Sequence, residues 1–358
     1  MRFEHETLAQ RVRFATGQAP ATICAEVQRL GGSRVMVIAS ADEADLANEV
    51  TADVPVVLHH REVVMHVPVA CAERARAAAV EHEVDVLVSV GGGSTTGLAK
   101  AVALTSGIPI VAVPTTYAGS EATSVWGLTE AARKTTGVDA RVLPRSIVYD
   151  ATLTLSLPLA LTVASGLNAL AHCVDAMWGP RTDPIDQALA VEGVRALAAG
   201  LPAVAADPTG LRGREQMLYA TYLAAVAFSS AGSGLHHKIC HVLGGAFNLP
   251  HAQTHAVVLP YVLAFNASAA PDTERRIAEA FGATTALDGL QALRRTVDAP
   301  RALRDFGFDE ADIDHAVTAI QEVVPASNPR KVTDDGLRQL LRAAWHGADP
   351  SQLTRRDN

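Results

Sequence analysis

The most restrictive feature of this sequence is a change of rhythm near residue 155. Before it, short β-branched runs have the length of strands: RVMVIAS (34–40), VPVVLHH (54–60), VDVLVSV (84–90), IPIVAVP (108–114) and RSIVYD (145–150). Between them ADLANEV (44–50), ACAERARAAAVEH (70–82) and TGLAKAVALTSG (96–107) suit amphipathic helices. Such alternation predicts a mainly parallel, Rossmann-like sheet with helices on both faces. After Leu155 strand-like runs almost vanish. Ala/Leu segments at helical spacing take over at 158–178, 183–204, 212–231, 233–247, 253–268, 273–283, 286–298 and 308–324. The expected fold is therefore an α/β domain over 1–154 followed by an all-α domain over 155–358, with the boundary in Asp150–Leu157.

With 358 residues, each half is long enough to bury a core of its own. A net charge of −8, without a basic stripe, gives no attraction to phosphate backbones and argues against nucleic acid as a partner. The opening MRFEHETLAQRVRF spreads its charges and lacks the apolar run of a secretory signal. No uninterrupted apolar stretch reaches the roughly 18 residues of a membrane span. Cys24, Cys71, Cys173 and Cys240 are widely spaced and read as free thiols of a reducing cytoplasm.

Two turns at strand ends carry the first chemistry. In VLVSVGGGSTTGLAK, Gly91, Gly92, Gly93, Ser94 and Thr95 pass from a buried strand into a helix. Glycines permit close approach of a ligand to the backbone, and the free N–H groups of the following helix favour a pyrophosphate. The loop is neither GxGxxG nor a Walker loop, and a ligand-free tight turn is the alternative. After the next strand, AVPTTYAGSEATS supplies Thr115, Thr116, Tyr117 and Ser120, either as ligand groups at a strand end or as helix caps.

Six of the 13 histidines fall between His172 and His255. Asn168 and His172 are four apart, as are His237 and His241, so each pair shares a helix face, and His251 follows after a GG break and a Pro. The set could bind a divalent metal, or orient a carbonyl substrate and relay protons. His236 points elsewhere on its helix and reads as a bystander; His255 is ambiguous.

These motifs, in this order, resemble the iron-containing (group III) alcohol dehydrogenase superfamily, whose architecture is like that of dehydroquinate synthase. The superfamily's GGGSxxDxAK stands here as GGGSTTGLAK, and its PTTxGTGSE as PTTYAGSE, one residue shorter. Its SGxDAxxHxxEA stands as SGLNALAHCVDA, and HxxxHxLGGxFNxPH as HKICHVLGGAFNLPH. VVMHVPV (63–69), TYAGSEATSVWGLTE (116–130) and HHKICH (236–241) are similar to its maleylacetate reductase branch. The resemblance implies an oxidoreductase with Gly91–Thr95 on the pyrophosphate, Thr115, Thr116, Tyr117 and Ser120 toward the nicotinamide, and Lys134 on a ribose. It maps the superfamily's four metal-ligand positions onto Asn168, His172, His237 and His251, and a further active-site histidine onto His241. It also implies a cytoplasmic homodimer acting in aromatic-compound breakdown.

Two departures carry information. The superfamily's first metal ligand is an aspartate, and Asn168 withdraws its charge, so a metal is not expected. Where NAD-specific relatives place an acid at the end of the second strand, this chain has Ser40, so NADPH is expected to be tolerated beside NADH. The implied substrate is maleylacetate or a substituted analogue, a dianionic enone. Hydride added β to its ketone yields a delocalised enolate that hydrogen-bond donors can stabilise. His237, His241 and His251 would polarise the ketone or relay the proton, His172 and Asn168 would orient it, and Lys238 and Arg330 would meet its carboxylates. The competing readings are a metal-dependent alcohol or polyol dehydrogenase, a dehydroquinate synthase-like lyase, and a non-catalytic nucleotide sensor.

Overall fold

A computed structural model describes residues 2–130 and 133–353, with the side chains of Arg133 and Lys134 outside the described set. The chain divides into two compact units, Thr7–Leu157, and Pro158–Asn358 together with Met1–Glu6. The first six residues therefore group with the helical unit, not with the sheet as the 1–154 division expects. His5 explains it: its Nδ1 lies 2.7 Å from Asp183 Oδ2.

The sheet unit runs β1 (Arg11–Phe14), α1 (Ala19–Arg29), β2 (Val35–Ile38), α2 (Ala44–Val50), β3 (Val56–His60), α3 (Val69–Glu81), β4 (Val86–Gly91), α4 (Gly93–Ser106) and β5 (Ile110–Pro114). A hairpin of β6 (Val125–Glu130) and β7 (Arg133–Val138) precedes β8 (Ser146–Tyr149). Six strands form one parallel sheet in the order β1-β8-β5-β4-β2-β3. The strands β2, β4, β5 and β8 are buried along their whole length, which is why they read as continuous apolar runs. Side chains alternate between two cores: Val35, Val37, Val86 and Val88 face α1, while Met36, Ile38, Leu87 and Ile110 face Leu98 of α4 and Ala72 of α3. From β2 the chain steps outward to β3 and then returns past β2 to β4, so the winding reverses between β2 and β4. Ligands of open parallel sheets collect at such a reversal, beyond the carboxyl ends of the strands.

Three elements of this unit lie outside the sequence expectation. The edge strand β1 is RVRF, whose arginines reach across to the buried Glu26 of α1 and break up its apolar pattern. Helix α1 buries Thr22 and Glu26 beside Ala19, Ile23 and Val27, and the hairpin strand β6 is only partly buried.

The helical unit contains α5 (Leu159–Ala176), α6 (Pro184–Ala206), α7 (Leu211–Ala231), α8 (Leu235–Phe247), α9 (His251–Ala267), α10 (Pro271–Phe281), α11 (Ala286–Thr296), α12 (Ile313–Gln321) and α13 (Asp334–His346). Every residue of α5 from Thr162 onward is buried, making it the axis of the unit. Helix α13 was not expected, although its signals are present: the Thr333 hydroxyl accepts from Gly336 N, and Leu337, Leu340, Leu341 and Ala344 share the buried face. The helix expected at 308–324 begins only at Ile313, after a tight turn capped by Asp309. Helices α5 and α6 are long and apolar enough to cross a membrane, but 83% of the α5 window is buried inside the protein, together with Asn168, His172 and Asp175.

Candidate active site

In the sheet unit, the glycine loop closes β4 at the winding reversal. Gly91 has φ +150°, and a Cβ there would fall 2.4 Å from Thr95 Oγ1 and 2.5 Å from Glu43 Oε2. Only glycine fits. Gly92 caps α4 without help from any side chain, and the first i→i+4 bond runs from Thr96 N to Gly92 O. The N–H groups of Gly93, Ser94 and Thr95 thus have no acceptor within the helix and face the loop end of its dipole. Thr116 closes on Gly92, its methyl 3.0 Å from where a Cβ would stand.

Ser40, half-buried at the end of β2, donates to Glu43 Oε2 at 3.1 Å, and Thr115 donates to Glu43 Oε1 at 2.6 Å. A carboxylate is therefore present beside Ser40, three residues further on. Tyr117 is fully buried with its hydroxyl donating to Thr154 at 3.2 Å, so it packs beneath the loop rather than lining a ligand surface. Ser120 turns its carbonyl to Lys100 Nζ at 2.6 Å. Lys134 pairs with Thr129 across the hairpin, but its side chain lies outside the described residues.

Lys100, which the sequence reading passed over, shapes this loop end of the sheet. Fully buried on α4, it donates also to Thr123 O, Thr123 Oγ1 and Val125 O at 2.8, 2.9 and 2.8 Å, tying down the segment after β5. Burial pulls its ammonium down to about 7, against the pull of the Glu121 carboxylate. It ends the GGGSTTGLAK motif, which is the signal that could have marked it.

In the helical unit the histidines converge from three helices. Asn168 and His172 lie on α5, His236, His237 and His241 on α8, and His251 and His255 on the first turn and a half of α9. His172 and His237 stack face to face, centroids 4.8 Å apart at 15°, with Phe228 against both rings. His241 meets His237 edge-on at 5.9 Å and faces His251 at 6.4 Å. His236 is not a bystander: its ring turns inward, with Nε2 2.9 Å from His255 Nδ1.

The centre of this arrangement is Asp175, also missed from sequence although it stands one helical turn beyond His172. It is wholly buried, and its carboxylate accepts from Gly234 N at 3.1 Å, His237 N at 3.0 Å and His237 Nδ1 at 2.7 Å. A Cβ at Gly234 would stand 2.5 Å from Asp175 Oδ1, so glycine is needed for the carboxylate to reach α8. Burial raises Asp175 to about 7 and, with the neighbouring histidines, lowers His237 well below 6.5. Burial likewise lowers His172 to about 4 and His236 to about 3. Each of these three imidazoles is thus held toward its neutral form. With Nδ1 engaged by Asp175, His237 Nε2 is buried without a hydrogen-bond partner, as are His172 Nδ1 and Asn168 Oδ1.

These residues do not fit an iron centre. Imidazole lone pairs lie in the ring plane, and two rings stacked at 15° with centroids 4.8 Å apart hold them in separate, nearly parallel planes rather than in planes that meet at one ion. Among the described residues, His236, His237 and His255 bring ring nitrogens within 4.8 Å of one another, and His236 and His255 already bond each other. Asn168 adds no charge to the set. Of the two cations expected to meet substrate, Arg330 stacks on Phe265 at 4.3 Å and donates to Phe265 O at 3.3 Å, which commits it to the end of α9. Lys238 is half-buried on α8, three residues before His241 and so on its flank.

Comparison with known proteins agrees with this arrangement of parts. Residues 9–151 match the iron-containing alcohol dehydrogenase family, and 162–345 match the C-terminal part of the Fe-containing alcohol dehydrogenase family. A maleylacetate reductase of Pseudomonas knackmussii is 43% identical over 356 residues, covering 98% of this chain and 100% of that protein. The crystal structure of an iron-containing alcohol dehydrogenase from Corynebacterium glutamicum superposes with a TM-score of 0.97 at 60% identity, covering 99% of both chains. That of a maleylacetate reductase from a Rhizobium species gives 0.92 at 38% identity, covering 98% of this chain and 99% of the other. The chain is an oxidoreductase that belongs to the iron-containing alcohol dehydrogenase family and groups with its maleylacetate reductases.

Proposed function

We propose that the protein reduces the carbon–carbon double bond of maleylacetate to give 3-oxoadipate, with a reduced nicotinamide dinucleotide as reductant and no metal. The observation that carries the reading is the buried Asp175–His237 pair, in a chain that aligns end to end with maleylacetate reductases. Bound nicotinamide supplies a hydride to the carbon β to the ketone. The π electrons of the double bond shift onto the ketone oxygen as an enolate, and one proton then goes to the α carbon. One enone, one reduced nicotinamide and one proton thus give the saturated ketone and oxidised nicotinamide.

The residues have matching tasks. Between them Asp175 and His237 share their protons, and a pair that takes up one more near pH 7 presents Nε2–H as a donor. That donor polarises the ketone, stabilises the enolate and can return its proton. His241 and His251 extend the relay. Stacked His172 and the Asn168 amide orient the substrate, and Lys238 meets one of its carboxylates. The fixed donors of a water-poor site suffice because the enolate charge is spread over oxygen and carbon. We also take the enzyme to be a cytoplasmic homodimer, a reducing compartment being supported by the free Cys24, Cys71, Cys173 and Cys240.

The test follows nicotinamide oxidation by chelator-treated protein with enzymatically generated maleylacetate, beside a panel of simple aldehydes. Full turnover of maleylacetate without metal is expected. Turnover of aldehydes alone, or activity that returns only with iron or zinc, would establish a metal-dependent alcohol dehydrogenase instead.

A further inference from the structure

We infer that Glu43 is the residue that chooses between the two nicotinamide cofactors, by accepting a hydrogen bond from the adenosine ribose hydroxyls and excluding a 2′-phosphate. The inference rests on reading the glycine loop of the sheet unit as a dinucleotide site. Nothing in the sequence distinguishes Glu43 from its neighbours: Asp42, Glu43 and Asp45 follow the strand together. Position separates them. Asp42 and Asp45 are exposed, whereas Glu43 ends the short turn Ala41–Glu43 after β2 and folds back over the carboxyl end of the adjacent β4.

Its carboxylate is held from two sides, by Thr115 Oγ1 at 2.6 Å from the end of β5 and by Ser40 Oγ at 3.1 Å from the end of β2. Its Oε2 lies so close to Gly91 that a Cβ there would stand 2.5 Å away. The acid is thus fixed at the winding reversal of the sheet, next to the first glycine of the loop whose N–H groups would take the pyrophosphate. A dinucleotide whose pyrophosphate rests on the start of α4 brings its adenosine ribose toward the neighbouring strand, β2. Two hydroxyl donors leave a carboxylate with lone pairs to spare, since it accepts up to about four bonds. A ribose diol can use them. A 2′-phosphate at the same place would meet a fixed anion, with no arginine or lysine on this turn to offset it.

Ser40 and Thr115 act through Glu43 as positioning residues. Ser40 does not loosen cofactor choice by lacking a charge; it holds the charge that Glu43 supplies.

Direct fluorescence titration of the full chain with NADH and with NADPH tests this without any substrate, so it stands or falls apart from the maleylacetate reading. The wild-type protein is expected to bind NADH at least tenfold more tightly, and Glu43→Gln, which keeps shape but removes charge, to shrink that ratio about tenfold or more, or 1.4 kcal/mol. Binding of NADPH as tight as NADH by the wild type would overturn the inference before any variant is made. A Glu43→Gln protein that loses affinity for both cofactors equally would overturn it too, because that is the mark of a merely structural tie between β2 and β5. Glu43→Asp, which retains the charge, is expected to keep the preference for NADH.

Discussion

Replacing Asp175 by Asn should separate catalysis from stability in a way that tests the Asp175–His237 pair. The buried carboxylate is displaced from 3.8 to about 7, so its ionisation costs the folded state about 4 kcal/mol. Asparagine removes that cost. It also turns an NH2 group toward donors that the carboxylate had satisfied: Gly234 N, His237 N and His237 Nδ1, at 3.1, 3.0 and 2.7 Å. Two such groups left unpaired cost about 2 kcal/mol each. The two effects nearly cancel, and the melting temperature should move by only a few degrees. Activity should not be spared. An amide facing Nδ1 can neither take up nor give back the shared proton, so His237 cannot recover through Asp175 a proton that it donates from Nε2, and kcat should fall by roughly 10²-fold or more, as for other histidines robbed of a carboxylate partner. Affinity for NADH, measured by titration, should be unchanged. Steady-state kinetics on maleylacetate with a thermal melt on the same preparation decide it. A folded Asp175→Asn protein that keeps kcat within threefold of wild type would refute the role given to the pair.

Three further outcomes are expected. Lys100→Met strands the carbonyls of Ser120, Thr123 and Val125 and should cost roughly 3–5 kcal/mol in urea unfolding, with a raised KM for NADH and no change in the denaturant slope. Acid should destabilise the helical unit: His172 near 4 and His236 near 3 take up protons on unfolding, so their stabilisation is present above 6.5 and lost as pH falls toward 4. Asp175 works in the opposite sense, its contribution fading as pH rises through about 7, but the lowered histidines, His237 and His255 included, outnumber it; a urea midpoint that rises between pH 6.5 and 5 would contradict this. Asn168→Asp should raise KM for the dianionic maleylacetate without making iron or zinc necessary, because the stacked rings of His172 and His237 still hold their lone pairs in separate, nearly parallel planes; metal analysis of the purified variant showing one tightly held ion would count against that geometry.

Much of the scaffold is legible in the sequence because burial on both sides leaves an unmistakable trace. Strands such as VMVI and IVAVP are apolar throughout, and each has one reading at that length. The edge strand RVRF fails for the converse reason: an edge is half solvated, so arginines occupy every other position and the apolar signal disappears. Site residues divide in the same way. Gly91 and His237 announce themselves by type and spacing. Asp175 and Glu43 do not, since each is a carboxylate whose importance lies in what it reaches across the fold: Gly234 and His237 fifty-nine and sixty-two positions away in one case, Thr115 seventy-two away in the other. His236 shows the limit of helical-wheel reasoning. Its spacing turns it away from His237 and His241 on α8, yet α9 packs on that side and supplies His255 as its partner.

The loss of one charge at Asn168 acquires its meaning from the rest of the cluster. A reductase that builds a localised alkoxide needs a strong electrophile at a single oxygen, and a divalent ion is the usual supply. Here the rings of His172 and His237 are stacked, burial holds both toward the neutral form, and the Asp175 carboxylate is engaged by α8 backbone and His237 Nδ1. Such a site offers one oriented proton rather than a strong positive charge. That is a poor match for an alkoxide and a good one for an enolate, whose charge is already shared with carbon. It also favours a dianionic substrate over a site with a second carboxylate, since an aspartate at position 168 would add repulsion where the amide adds none. On the proposed reading, the substitution at 168 and the Asp175–His237 pair are two parts of one chemical solution: removal of the anion that would hold a metal, and retention of the anion that holds a proton.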